Sequence, residues 1–400
     1  MLRRNAKCKD SGRLFTRPGP PGPPAGERAH DVMSAAGRLL VVSHPAVVSV
    51  NQEVYRELRR RGWDVTIVLP DHWRHAYSQS DITPVALEGM QDALRPTRVA
   101  LAGRPQRHFY LARPRSICAR ARPDVAFLEA EPFAVAAAQW GFSCRRLGIP
   151  FGLQCYENID RALPAPVRLV RRRLLADAAF VAARSQTAGE LARTWGARGT
   201  VGLAPPAVPS WGAPAQAGTE RPFTVGYAGR LVESKGLMDL LAAVRALTAP
   251  VELVLLGDGE LRERLEGQQI PGSRVRVVTG LTHDQMPEGY AQLDVVVLPS
   301  HTTPTWKEQF GRVIVEALWC GTPVVGSDSG EIPWLIGLTG GGVVFPEGDV
   351  GALAGALSSL REHPERRREL AETGRAAVER LFSVPAATDA LEALLLGAIG

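Results

Sequence analysis

Four hundred residues, 45% hydrophobic and 22% charged, describe a globular chain rather than a disordered one, and are too many for one ordinary core, so two domains of roughly 150 to 200 residues each are expected. The net charge of +6 arises from 43 Arg and 4 Lys against 41 acids, a skew that makes an arginine at any one position a weak functional signal. Five scattered cysteines (Cys8, Cys118, Cys144, Cys155, Cys320) speak against a disulfide framework or a zinc site and for a reducing, cytoplasmic setting.

Residues 1–33 contain RPGPPGPPAGER and no apolar core, so they read as a disordered extension rather than a secretory signal or a collagen segment, with Met33 as an alternative start. No apolar run reaches the roughly 18 residues that cross a bilayer; LEALLLGAIG at the C-terminus is too short.

From residue 34 the chain alternates. RLLVVSHP (38–45) reads as a buried strand, VNQEVYRELRRRG (50–62) as an amphipathic helix stopped by Gly62, and WDVTIVLP (63–70) as the next strand. PDVAFLEAEP, IPFGLQCYEN and DAAFVAAR continue the rhythm with helices between them. Such alternation predicts a parallel sheet covered on both faces, here over residues 34–205. Between Arg95 and Arg122 lie eight arginines and no acid, a basic face suited to an anionic surface.

Five prolines in APPAVPSWGAPAQAGTERP mark a linker at 206–222. The pattern then restarts over 223–385 with FTVGYAGRL, VELVLLGDG, RVRVVTGL, DVVVLPS, PVVGSDSG and GGVVFPEGD as strands. A long helix follows from Val350 into the arginine-rich 361–375, and a last helix, 386–400, is expected to pack back on the first domain. Two doubly wound α/β domains facing each other result, with ligands expected beyond the carboxyl ends of the strands, in the cleft between them.

The charged motifs of the second half fall at such strand ends. GYAGRLVESKG places Arg230 after a strand and Lys235 five residues later, between Gly229 and Gly236, a pairing able to neutralise a diphosphate. Only Lys235 and Lys307 lie outside the first nine residues. Gly257 and Gly259 in GDG end a strand as a nucleotide-contacting turn would, although no dinucleotide fingerprint or P-loop occurs. In TWKEQFGRVIVEALWCG, Glu308 and Glu316 stand eight positions apart. On one helix they would point about 80° apart, so Glu308 is expected on a loop and Glu316 within a helix entered at Gly311.

These segments, EQFGRVIVE with ALWCGTPVVGSDSGEIP after it and GYAGRLVESKGL and GDGELRERL before it, resemble the family 4 retaining glycosyltransferases of the GT-B fold. The resemblance covers 223–385 and is architectural in the first domain. It implies that Arg230 and Lys235 hold the diphosphate of a nucleotide-sugar donor, that Glu316 holds its ribose, and that Glu308, with the backbone of Phe310, Gly311, Arg312 and Val313, contacts the sugar. Gly229, Gly257, Gly259 and Leu281 would line the rest of the nucleotide site. No metal and no cofactor are implied. The first domain would bind a glycan, lipid or small-molecule acceptor, with His44, Asn51, Glu131 and Asn158 as the groups available at its strand ends. It departs from the family pattern there: the loop SHPAVVSVNQ has no glycine pair, and Ala130 stands where many relatives carry histidine.

A nucleotide-sugar epimerase of the same fold and a basic membrane- or nucleic-acid-binding protein are the alternatives. Nucleic acid is disfavoured by the absence of aromatic interleaving in the arginine run. Peripheral contact with an anionic membrane at its cytoplasmic face is expected instead.

Overall fold

The computed structural model describes residues 36–74, 81–212 and 221–400. The expected N-terminal extension and part of the linker (213–220) lie outside these residues.

In chain order the first half supplies β1 (Gly37–Ser43), α1 (Glu53–Arg60), β2 (Trp63–Pro70), a small ribbon of β3 (Trp73–Arg74) and β4 (Asp81–Ile82), and β5 (Leu94–Thr97). A second ribbon, β6 (Val99–Ala100) with β7 (Phe109–Tyr110), leads to α2 (Pro114–Ala121), β8 (Val125–Glu129), α3 (Val135–Leu147) and β9 (Phe151–Cys155). Then come α4 (Ala165–Asp177), β10 (Phe180–Ala183), α5 (Gln186–Thr194) and β11 (Thr200–Leu203). Seven of these strands form one sheet in the order β11-β10-β9-β8-β1-β2-β5, every pair parallel.

The strands are apolar runs because both faces are covered. Leu40, Val42 and Leu128 point to one core with Trp140, while Leu39, Val41 and Phe127 point to the other with Tyr55 and Leu58. Gly152 on β9 is required by its neighbour: a Cβ there would lie 2.1 Å from the Phe180 ring.

The second half supplies β12 (Thr224–Ala228), α6 (Leu237–Arg245), β13 (Glu252–Leu256), α7 (Arg262–Glu266), β14 (Arg274–Val278) and α8 (Met286–Ala291). It continues with β15 (Val295–Leu298), α9 (Arg312–Trp319), β16 (Val324–Ser327), α10 (Ile332–Thr339) and β17 (Gly342–Phe345). Its parallel sheet runs β14-β13-β12-β15-β16-β17, reversing direction between β12 and β15, which is the switch point where doubly wound sheets open a crevice.

Three helices close the chain: α11 (Val350–Glu362), α12 (Pro364–Phe382) and α13 (Val384–Ile399). The sequence reads as one long helix from Val350 into 361–375, but Pro364 disfavours helical backbone at His363 and divides it. The helical stretch Pro364–Ile399 does reach membrane-spanning length and hydropathy, beyond what the apolar-run count anticipates. Ser383 interrupts it with extended backbone and caps α13. The apolar side of α13 is occupied: Leu391, Leu394 and Leu395 belong to the core of the first sheet. Arg61 there pairs with Asp389 at 2.6 Å and Glu392 at 2.7 Å, and Trp63 Nε1 donates to Glu392 at 2.8 Å.

Candidate functional site

The carboxyl ends of β12 and β13 are pressed together. A Cβ on Gly257 (φ 148°) would lie 1.9 Å from the Gly229 carbonyl oxygen, and one on Gly259 would lie 2.4 Å from that of Leu231. The glycines of GYAGR and GDG therefore serve first to let two strand ends meet. Gly229 N–H donates to Leu256 O, and Leu231 N–H to Asp258 O, at 2.9 Å each. Arg230 emerges from this junction, its carbonyl accepting from the Tyr227 hydroxyl at 2.6 Å.

Lys235 ends a short 3-10 turn closed by Gly236, whose φ of 66° and approach to Pro299 O exclude a side chain. The turn brings Lys235 Nζ to 2.6 Å from Glu308 Oε2 and 4.5 Å from the Trp306 ring centroid. Ser300 Oγ donates to the same carboxylate oxygen at 3.0 Å. Glu308 lies on the loop before α9 and Glu316 inside the helix, with Gly311 at the N-cap in left-handed backbone (φ 77°). The Phe310 side chain is buried against Trp334 and Phe382, leaving only its backbone to face a ligand.

Glu316 is buried, and burial raises its carboxyl above the usual range, opposed by Arg312 and Tyr290. Tyr290 OH donates to Glu316 Oε2 at 2.8 Å, and Arg312 Nε stands 2.8 Å from Oε1. Tyr290 was not legible as a site residue: DQMPEGYAQ carries no motif. Leu281 packs beside this core at the rim of the second sheet.

A cleft of about 500 Å³ opens at the strand ends of the first sheet, lined by His44, Asn51, Glu53, Glu131, Tyr156 and Arg184 among others, and closed from the second domain by Gln309 and Arg312. Glu129 is fully engaged, accepting from Ser43 at 2.5 Å, Tyr55 at 2.8 Å and Arg184 at 3.0 Å. Glu131 accepts the Tyr156 N–H at 2.8 Å, while its Oε2 is sequestered without a partner. Burial pushes this carboxyl up to about 8. His44 packs at a tilt between Trp73 and His108, centroids 4.8 and 5.2 Å away, and burial lowers it to about 3, a neutral imidazole. Two of the expected acceptor groups also bond within the protein. Asn51 donates its amide to Pro45 O at 2.9 Å and shapes the loop after β1. Asn158 donates across the cleft to the Glu308 carbonyl at 2.8 Å.

The Glycosyl transferase 4-like domain model matches residues 46–206 and the Glycosyl transferases group 1 model residues 213–377, each falling on one of the two sheets. The chain belongs to the family 4 glycosyltransferases. This family member is 35% identical over 153 residues to the 2-deoxystreptamine N-acetyl-D-glucosaminyltransferase of Streptomyces fradiae, covering 36% of this chain and 35% of the relative. It is 30% identical over 178 residues to the alpha-D-kanosaminyltransferase of Streptomyces kanamyceticus, covering 43% and 45%. The match thus spans less than half the length of either relative. Anabaena Alr3699/HepE, solved in complex with UDP, superposes on 90% of this chain and 99% of its own with a TM-score of 0.65 at 18% identity, which establishes the GT-B arrangement of the family 4 chain.

Proposed function

We propose that the protein is a retaining, metal-independent glycosyltransferase that moves a sugar from a nucleotide-diphosphate donor to a hydroxyl of a glycan, lipid-linked or small-molecule acceptor. The observation that carries this is the convergence of Lys235, Glu308 and the start of α9 beyond β12 and β15, beside the Arg230 junction. As the anomeric C–O bond stretches, negative charge grows on the leaving diphosphate; Arg230, Lys235 and the N–H groups at the start of α9 are the donors that would meet it. They interact more strongly with that developing charge than with the bound donor, which lowers the barrier. Glu308 positions the sugar, and Glu316, oriented by Tyr290, accepts from the ribose diol. The acceptor attacks on the face the diphosphate leaves and the departing phosphate takes its proton, so no carboxylate nucleophile enters the scheme.

The aminocyclitol- and aminosugar-related names of the first two relatives, and the UDP bound to the HepE neighbour, support small-molecule acceptors and UDP-linked donors as the first to screen. Turnover of a nucleotide-sugar panel with Arg230→Ala, Lys235→Ala and Glu316→Ala is the direct test. Unchanged rates in all three place the donor elsewhere, and an epimer formed from donor alone favours the epimerase alternative.

Peripheral contact with an anionic membrane is supported by one surface. All eight arginines between Arg95 and Arg122 are exposed, and Leu101, Phe109 and Leu111 stand exposed among them. Pro105 and Gln106 of the same segment line the cleft, so a lipid-borne acceptor would arrive at its mouth. Cys118, Cys144 and Cys155 are buried thiols that form no disulfide among the described residues, in keeping with a reducing, cytoplasmic compartment.

A further inference from the structure

We infer that Asn158 and Glu331 form a latch between the two domains that fixes the position of Glu308, so that the donor loop reaches its working geometry only when the cleft is closed. Asn158 sits on the turn after β9 and is 2% exposed. Its own backbone is anchored within the first domain, because its N–H and that of Ile159 both donate to Glu157 Oε1 at 3.2 Å, while Arg161 Nε holds Glu157 Oε2 at 2.7 Å. From that fixed base its side-chain amide donates to the Glu308 carbonyl in the other domain. The same carbonyl accepts the Glu331 N–H at 3.0 Å. Two donors use both lone pairs of that oxygen.

The contact runs in the other direction as well. The Glu331 carboxylate, 2% exposed as a residue, faces Ser185 at the N-cap of α5 and Thr187 in its first turn, on the first domain, while its Oε1 has no hydrogen-bond partner. Gly330 lets the loop come this close: its φ is 56°, and a Cβ would lie 2.1 Å from the Glu308 carbonyl oxygen. Glu308 is thereby held at both ends, its carbonyl by Asn158 and Glu331, its carboxylate by Lys235 and Ser300. A separation of the domains by only about 1 Å would stretch the Asn158 bond past the hydrogen-bonding limit. The second amide atom, Asn158 Oδ1, is buried without a partner. Such an orphan opposes folding, so the residue is better explained by the geometry it imposes than by stability it adds. Asn158 is on this view a positioning residue, not an acceptor contact.

Its consequence for catalysis rests on the transferase reading; the latch itself does not. The test is a pair of measurements on the full chain. Spin labels on Glu190→Cys and Arg264→Cys, exposed on α5 and α7, in a Cys8→Ser background, report the distance between domains. Asn158→Asp, which sets a carboxylate against the carbonyl, and Thr187→Val, which removes one hydroxyl facing Glu331, are expected to lengthen and broaden that distance. UDP or GDP affinity is expected to stay within about two-fold while kcat for transfer falls about ten-fold or more, with restoration by Asn158→Gln excluded by its length. Distances that match the unsubstituted protein in both variants overturn the latch, and an unchanged kcat in Asn158→Asp overturns its consequence for catalysis. If the unsubstituted protein binds no nucleotide and turns over no donor, the transferase reading fails while the label distance still decides the latch.

Discussion

Replacing Glu308 by glutamine separates two roles that the ion pair with Lys235 combines. Lys235 Nζ and Glu308 Oε2 are 2.6 Å apart with side chains only 15% and 12% exposed. At a charge separation of about 4 Å and an effective dielectric of about 20 the attraction is about 4 kcal/mol. Desolvating both groups offsets much of it, leaving a net interaction of about 1 to 2 kcal/mol. A diphosphate docking on Lys235 must compete with that carboxylate. Glu308→Gln removes the competitor while Lys235 keeps the Trp306 face. The Kd for UDP or GDP, measured by titration calorimetry at fixed ionic strength, should therefore tighten about ten-fold, since about 1.4 kcal/mol corresponds to one decade. Transfer, which needs the carboxylate on the sugar, should fall by about 100-fold or more. Weaker nucleotide binding with retained turnover would refute both the competition and the assigned role.

Glu131→Gln probes the buried carboxyl in the cleft. Its folded pKa is raised to about 8, so the unfolded chain ionises first and stability is lost as pH rises through the window from about 4.5 to about 8, at up to about 1.4 kcal/mol per unit. Melting temperatures of the glutamine variant should match the parent near pH 4.5 and exceed it increasingly up to pH 8; a constant difference across that range would contradict the assignment. Gly257→Ala should lower both thermal stability and nucleotide affinity, because backbone at Gly229 cannot yield 1 Å without moving Arg230; a variant with parental melting and affinity would show that the strand ends are looser than they look. Leu395→Ala, at a fully buried position of α13, should cost about 2 to 5 kcal/mol in denaturant unfolding, and a loss below about 1 kcal/mol would mean that α13 is not part of the first core. Flotation with vesicles of increasing anionic lipid content should show rising recovery, reduced by charge reversal at Arg104 and Arg107; recovery indifferent to lipid charge would remove the membrane reading.

The second domain was legible because its chemistry is local. Gly229 to Lys235 is one loop and Glu308 to Glu316 one loop-to-helix segment, so spacing alone places the two glutamates on either side of a helix start. The partners that complete the site come from far along the chain. Tyr290 reaches Glu316 from α8, and Asn158 reaches Glu308 across 150 positions; no periodicity encodes such meetings. The first domain hid more for a further reason: in a chain with 43 Arg, Arg184 looked like background, yet it bridges Glu129, Gln154 and the Ala204 carbonyl at the end of β10. Gly257 and Gly259 read as a nucleotide-contacting turn, but the neighbours that require them are the Gly229 and Leu231 carbonyls.

The return of α13 to the first sheet gives the molecule two chain crossings between its halves, one near residues 205–222 and one at Ser383. Two crossings tie the halves together at two separate points of the chain. They also set the rule for recombination. A chimera that exchanges the first half for that of a relative must exchange α13 with it, since otherwise Asp389, Glu392 and the leucine face would meet a foreign sheet.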